Sequence, residues 1–319
     1  MLPTMKPMMK PTTATTDFQT AAEVALPALA HADDCRCAMH ARRRLGGALI
    51  GGGALAALGA AGPAAAQDDE CRRSQFAKVV SAEQIEQAAD QQYRKMLQEA
   101  SAQRALGPAN HVQVQRLRYI AQRIIPFTAS CNERASQWRW EVNLIGSKDL
   151  NAFCMPGGKI AFYHGILAKL QLDDDEVAMI MGHEVAHALL EHARERMGKT
   201  ATTRGLIELG SALFGLGGLG NTLANYGGQL LTLRFSRDDE SEADALGLVL
   251  AARAGYRPAA GVSLWRKMMD ASKGAPPQWL STHPTGDSRI REIESRLLRV
   301  DPLYRAAAKP DRQFSSPSA

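Results

Sequence analysis

The chain has 319 residues, which is enough for one or two domains with a substantial hydrophobic core. Hydrophobic residues make up 45% of it and charged residues 22%, the ordinary balance of a globular protein. The formal net charge is +5, but the sequence has no basic stripe with interleaved aromatic residues. Nucleic acid is therefore not an expected partner.

Residues 1–66 have the parts of a secretory signal. Consecutive arginines at residues 42–44 precede a run rich in glycine, alanine and leucine over residues 45–62, and a small-residue cleavage pattern follows. Consecutive arginines beside a weakly hydrophobic run favour the twin-arginine export route. We predict that this region is cleaved, that the mature chain begins near Gln67, and that the protein is periplasmic.

Two alternatives to this interpretation stay open. Residues 1–38 are long for the segment that precedes an apolar signal run, so Met39 is an alternative start and residues 1–38 would then be a misannotated one. A membrane anchor is the other alternative, which the many glycines of the apolar run disfavour.

The elements that follow are mainly helical. In chain order, the patterns predict helices over about residues 82–105 and 110–125, a strand over 138–145, two strands around a Pro-Gly-Gly turn within 151–162, and helices over 166–172, 177–197, 237–254 and 284–300. The apolar, glycine-broken segment 204–233 is interpreted as a buried helical hairpin, with a membrane-facing flap as the alternative. This order predicts an α+β fold that is mainly helical.

The strongest chemical signal is the pattern His183-Glu184-Val185-Ala186-His187. Residues i and i+4 lie on one face of a helix, so both imidazoles can reach one cation, and Glu184 beside them can act as a general base. The alternative is a surface helix that happens to carry two histidines. The apolar run at residues 177–181 argues against it, because two unpaired histidines in a buried helix would be costly.

A catalytic zinc site needs a third protein ligand. Leu190 and Ala193 occupy the positions where the metzincin pattern requires glycine and histidine, so that class is excluded, and His192 is interpreted as an ordinary helix residue. Glu240 and Asp244 share one face of a predicted helix, where Glu240 can bind zinc and Asp244 can accept the N–H of a zinc-bound histidine. A solvated acidic helix start is the alternative.

Several segments occur together in an order that resembles the gluzincin metallopeptidases of the CAAX prenyl protease, Oma, BepA and HtpX type. The matching segments are Asn-Ala-Phe-Cys-Met-Pro-Gly-Gly at 151–158, Gly-His-Glu-Val-Ala-His at 182–187, Glu-Ser-Glu-Ala-Asp at 240–244, Ala-Gly-Tyr at 254–256 and Ser-Thr-His-Pro at 281–284. They cover about half of the chain, and the lack of long transmembrane helices points to the soluble periplasmic branch. Cys154 is a departure, since a small apolar residue is expected there.

The resemblance implies a zincin-like metalloprotease domain with a small edge sheet and an active-site helix that carries the His-Glu-x-x-His motif. It implies one Zn²⁺ on His183, His187 and Glu240, with Glu184 as the base and Asp244 behind a ligand. It also implies that substrate binds along an edge strand that includes Asn151, Pro156, Gly157 and Gly158.

His283 and Arg289 are weaker candidates for the site. His283 can donate a hydrogen bond to the oxyanion that develops on the peptide carbonyl. Alternatively, it can take the open zinc position and hold the enzyme latent, and the resemblance makes both roles plausible. A loop residue with no special role is a further alternative. Arg289 is expected to support His283 from the last helix.

The cysteines follow from the predicted export, which permits disulfides. Cys35 and Cys37 precede the predicted cleavage point, and Cys154 lies in the predicted edge strand. We therefore predict a disulfide between Cys71 and Cys131 and a free thiol at Cys154. No Cys-x-x-Cys pattern supports a thiolate zinc site.

Together these patterns predict a zinc-dependent metalloendopeptidase of envelope or outer-membrane protein quality control. The expected organisation is a signal region over 1–66, a metallopeptidase domain over 67–308 and a disordered tail over 309–319. Expected partners are proteins or peptides, including misfolded outer-membrane proteins, with peripheral association with a membrane. One alternative is a metal-binding periplasmic chaperone or adaptor with little proteolysis, which Glu184 disfavours because a binding site needs no base. A zinc hydrolase of small substrates is another.

Overall fold

The computed structural model describes residues 70–213, 230, 233–272, 278–283 and 286–317. The predicted signal region and most of the predicted hairpin at 204–233 lie outside these residues. Within the described part of the chain, no helix combines the length and the apolar character that a membrane crossing requires.

The described elements confirm a mainly helical chain with a small sheet. The helices are α1 (Ala82–Ala102), α2 (Val112–Ile124), α3 (His164–Lys169), α4 (Asp174–Leu189), α5 (His192–Leu213), α6 (Arg237–Arg253), α7 (Ala260–Ala271), α8 (Gln278–Thr282) and α9 (Asp287–Ala306). The strands are β1 (Glu141–Ile145), β2 (Ala152–Met155) and β3 (Lys159–Tyr163).

The single helix predicted over 177–197 is two helices. α4 ends at Leu189, and Glu191 has a left-handed φ of 60°, which is uncommon outside glycine. An N–H group of Arg194 donates to both carboxylate oxygens of Glu191, each at 2.8 Å. The chain therefore turns before His192, which begins a new helix and faces back toward α4.

Other boundaries differ by a few residues from the predicted ones. β1 begins at Glu141 instead of 138, and α9 begins at Asp287 and runs to Ala306. The sequence patterns above did not predict α7 or α8. Gly255, with a left-handed φ of 87°, follows the end of α6, a position that favours glycine.

The described part of the segment after residue 308 contacts α2 and the start of α4. The backbone N–H of Asp311 donates to the Tyr119 hydroxyl at 3.0 Å, and the N–H of Phe314 donates to a carboxylate oxygen of Asp174 at 2.9 Å. The Phe314 and Tyr119 rings lie 5.8 Å apart. These partners on α2 and at the start of α4 satisfy the backbone of the tail, and so they give it a defined course.

The sheet has the order β1-β3-β2. β1 runs parallel to β3, and β2 is antiparallel to β3 through the predicted Pro-Gly-Gly turn. β2 therefore forms an edge of the described sheet, and it packs against α4. The predicted disulfide between Cys71 and Cys131 is present, and Cys154 in β2 is a buried free thiol.

α4 is the central helix of the fold. Every residue from Val177 to Leu189 is buried, and the helix packs against α2, α6, α7 and β2. A helix that is covered on all sides leaves its polar side chains without water. The histidines and the glutamate of the motif must therefore find partners inside the protein.

Candidate metal centre

The two motif histidines project from α4 toward one point. A capping box of Asp173 and Glu176 begins the helix, so the motif falls in its last two turns. The Nε2 atoms of His183 and His187 lie 3.1 Å apart, and each residue is 4% exposed. This places two imidazole nitrogens at the same buried position, as the spacing predicts.

Two glycines let α6 approach α4 closely enough to complete the cluster. A Cβ atom on Gly182 would lie 2.6 Å from the carbonyl oxygen of Gly247, and one on Gly247 would lie 2.8 Å from the backbone nitrogen of His183. A side chain at either position would therefore push the helices apart. This crossing brings the acidic face of α6 to His183. The sequence patterns did not predict the role of Gly247.

Glu240 joins the two histidines. One of its carboxylate oxygens lies 3.6 Å from His183 Nε2 and the other lies 3.4 Å from His187 Nε2. With His283, the ligand atoms of the four residues all lie within 4.8 Å of one another. Imidazole nitrogens with one carboxylate are a usual donor set for a divalent transition metal, so the residues fit the expected ion.

The local electrostatics favour the ligating forms of these side chains. Burial lowers the pKa of His187 well below its usual value, because the interior disfavours the charged imidazolium. Burial acts in the opposite direction on Glu240, but His283, His187 and Arg289 outweigh it and hold the pKa of Glu240 far below its usual range. Neutral imidazole and ionised carboxylate are the forms that bind a metal.

His183 is held from behind by Asp244 and Arg289, which we call the inner support. Nδ1 of His183 lies 3.0 Å from an Asp244 oxygen, so an N–H at that nitrogen donates to the carboxylate and leaves Nε2 free to bind. Arg289 donates to both Asp244 oxygens at 2.7 Å and also to Glu240. Arg289 thus clamps two carboxylates, instead of acting through His283 as the sequence analysis expected.

His187 is held by His192 and Glu242, which we call the outer support. The Nδ1 atoms of His187 and His192 lie 2.8 Å apart. If His187 binds through Nε2, its Nδ1–H donates to His192, whose own proton then lies on Nε2, 3.2 Å from a Glu242 oxygen. His192 is 1% exposed, so it is not the ordinary helix residue of the sequence interpretation.

His283 directly follows α8, and its ring lies in the cluster. Nδ1 of His283 is 2.9 Å from a Glu240 oxygen and 3.3 Å from His183 Nε2, while its Nε2 is 3.6 Å from Glu184. Burial opposes the charge on His283, but Glu184 and Glu240 outweigh it and raise the pKa of this histidine. His283 therefore stands where it can interact with the metal ligands and with the expected base.

Glu184 lies beside the cluster and is 2% exposed. Its Oε1 atom accepts a hydrogen bond from the indole N–H of Trp279 at 2.7 Å. The sequence did not predict this contact, because nothing in the spacing of Glu184 and Trp279 indicates that they meet.

A cleft connects the cluster to the sheet edge. Asn151 and Pro156 line it together with all of β2, and Glu184, His187 and His283 form part of its opposite wall. Two expected substrate residues lie elsewhere: Gly157 and Gly158 have φ values of 82° and 77° and face Glu86 and Trp140. A left-handed backbone favours glycine at both positions. The turn therefore explains these glycines without a role in substrate binding.

Comparison with known proteins gives related sequences over the same region. The mitochondrial metalloendopeptidase OMA1 of Schizosaccharomyces pombe is 38% identical over 166 residues, which are 51% of this chain and 48% of that protein. The beta-barrel assembly-enhancing protease of Yersinia pestis is 30% identical over 184 residues, 54% of this chain and 37% of that protein. The human metalloendopeptidase OMA1 is 31% identical over 196 residues, 56% of this chain and 37% of that protein. The chain thus spans about half the length of these relatives or less.

The sequence model of peptidase family M48 matches residues 112–297, which is more than half of the chain. The matched range contains the four clustered side chains, the expected base and the inner support. This chain therefore belongs to peptidase family M48.

Proposed function

We propose that this chain is a zinc-dependent metalloendopeptidase. The observation that carries the proposal is the convergence of His183, His187 and Glu240 beside the buried carboxylate of Glu184. Ligands of this kind with an adjacent carboxylate suit hydrolysis, whereas a purely structural metal site needs no base.

In the proposed reaction, His183, His187 and Glu240 hold the ion. When bound, zinc polarises the peptide carbonyl and makes water a stronger nucleophile at neutral pH. Glu184 accepts a proton from the attacking water and later delivers it to the leaving amine. Asp244 and Arg289 keep His183 oriented while this happens, because they fix its Nδ1 side.

The proposed substrate is a protein or peptide segment in extended conformation. β2 is the edge of the described sheet and lines the cleft that leads to Glu184. Such an edge offers backbone groups for pairing with an added strand. The sequence has no basic stripe with interleaved aromatic residues, and we propose no nucleic-acid partner.

Envelope protein quality control is the proposed setting. The name of the beta-barrel assembly-enhancing protease associates that relative with outer-membrane proteins, and the pattern of residues 1–66 predicts export. On this basis we propose a periplasmic enzyme that acts on misfolded outer-membrane proteins and associates peripherally with the membrane.

His283 is proposed to cap the metal in a latent form. Its Nδ1 contacts Glu240 and lies near His183 Nε2, which supports a ligand position over an oxyanion contact. His283→Ala should then raise the basal rate of casein cleavage while zinc is retained. A turnover rate lower by about 10²- to 10³-fold would instead favour the oxyanion role.

The decisive test of the proposed function compares the purified mature chain with Glu184→Gln. The amide has the size of the carboxylate but cannot accept the proton, so casein cleavage should fall by about 10²- to 10⁴-fold while zinc content stays unchanged. A chelator should abolish the activity of the parent. Cleavage by Glu184→Gln at the parental rate would contradict the mechanism. Zinc-loaded parent and zinc-loaded His283→Ala that both leave casein uncleaved would favour the chaperone or adaptor.

A further inference from the structure

Trp279 on α8 meets the expected base with its only polar atom. The side chain is 1% exposed, and its Nε1–H donates to Glu184 Oε1 at 2.7 Å. An indole nitrogen can only donate, and a carboxylate is a strong acceptor. The proposed mechanism above does not use this contact, although it joins the base to an element far along the chain.

The indole is fixed on several sides. The backbone N–H of Trp279 donates to the carbonyl of Leu150 at 3.1 Å, two residues before β2. Its ring stacks on His283 with centroids 4.8 Å apart and packs against Trp265 at 5.2 Å. A ring with these neighbours cannot turn its N–H away without moving the surrounding core, so the donor is held in position.

A base on a long side chain needs such a contact. A glutamate has several rotatable bonds, and a general base acts only when it lies within hydrogen-bond reach of the proton that it removes. The indole N–H donates to Oε1 of Glu184 and leaves Oε2 available for proton transfer. The contact therefore selects the rotamer of the base.

We propose that Trp279 is a positioning residue that holds Glu184 in its reactive orientation, an inference that rests on the proposed proteolytic function. Hydrogen bonds to charged groups contribute about 1.5–3 kcal/mol. Loss of this bond should therefore reduce turnover by about 10- to 100-fold. KM should stay unchanged, since Trp279 does not line the described cleft. Because the ring also packs against His183 and His283, kcat is compared between variants at equal zinc content.

The kinetic test compares Trp279→Phe with Trp138→Phe. Trp138 is the matched control, because its Nε1–H also donates to a carboxylate, Glu86 Oε1, at 2.9 Å but away from the cluster. Trp138→Phe removes that N–H in the same way. We expect the loss of kcat in Trp279→Phe alone. Phenylalanine is smaller than tryptophan and also leaves a gap in the core. A second variant therefore carries 3-benzothienylalanine only at position 279, which provides a ring of nearly the same shape without the N–H. It should show the same loss, and a parental kcat in that protein would overturn the proposal.

A spectroscopic test needs no proteolysis. In a ¹H–¹⁵N spectrum, the Trp279 indole signal is identified by its loss in Trp279→Phe. In Glu184→Gln this signal should move upfield, because a neutral amide is a weaker acceptor than a carboxylate, while the Trp138 signal stays in place. If the parent is active and the Trp279 signal does not move in Glu184→Gln, the proposed role of Trp279 is overturned while the proposed function stands. Absence of cleavage by both the zinc-loaded parent and His283→Ala would instead contradict the proposed function itself.

Discussion

The two motif histidines lie one turn apart on the same helix, but the protein holds them in different ways. Behind His183, the inner support is an ion pair whose aspartate and arginine side chains are 6% and 8% exposed. Behind His187, the outer support runs through the His192 imidazole to Glu242, whose side chain is 55% exposed. A buried, charge-assisted hydrogen bond holds its partner more firmly than one that ends in water. We therefore expect His183 to be the more rigidly held of the two proposed ligands and His187 the more adaptable one.

The largest effect is expected at Glu240, the residue that contacts both histidines. Glu240→Ala should abolish zinc binding and casein cleavage, because neither support supplies a ligand in its place and Arg289 loses a buried partner. Metal analysis after dialysis measures this loss. Asp238→Ala, which removes an exposed acid from the same helix, is the control. If Glu240→Ala keeps its zinc, the ligand set is wrong and His192 becomes the next candidate.

The inner support should show the next largest effect. Asp244→Asn keeps an oxygen near His183 Nδ1 but removes the charge that pairs with Arg289. Zinc affinity should fall by about 10- to 100-fold, as changes behind a metal ligand do. Competition with a chromogenic chelator measures the affinity. An unchanged affinity would remove the distinction between the two supports.

A smaller effect is expected at the outer support. His192→Phe fills the buried position but leaves the Nδ1–H of His187 without an acceptor, so zinc affinity should fall by about tenfold, the low end of the range for such changes. His192→Asn provides the matched control, because its side-chain oxygen can accept that N–H. A loss in His192→Phe that exceeds the loss in Asp244→Asn would reverse the comparison.

The smallest effect is expected at the surface end of the outer support. Glu242→Gln removes an exposed charge at 3.2 Å from His192. Exposed ion pairs contribute about 0.2–1 kcal/mol, so zinc affinity should change by no more than about fivefold. Raising the salt concentration should shrink this difference further, whereas the effect of Asp244→Asn should persist. The same chelator competition, repeated at low and high salt, tests both statements.

Much of the candidate site could be predicted from local pattern. The spacing of His183 and His187 depends only on the pitch of a helix, and the acidic residues at the starts of α4 and α6 form the capping boxes that begin them. Glu240 and Asp244 share a helical face for the same reason. Their pairing with α4 was available only through the resemblance to known metallopeptidases, since two separate helices do not reveal which faces will meet.

By itself, the sequence determined the helical periods, the capping residues, the glycine turn between β2 and β3, and hence the types of side chain available for chemistry. Which of these side chains contact one another depends on the tertiary packing of the helices and strands. Gly247 crosses Gly182 at backbone contact, Trp279 reaches Glu184 across a separation of 95 residues, and His192 turns back to His187 because Glu191 adopts a left-handed conformation. Each of these contacts depends on how whole elements pack in three dimensions. Residue spacing encodes the direction of a side chain within its own helix or strand, but not the neighbour that packing brings to it.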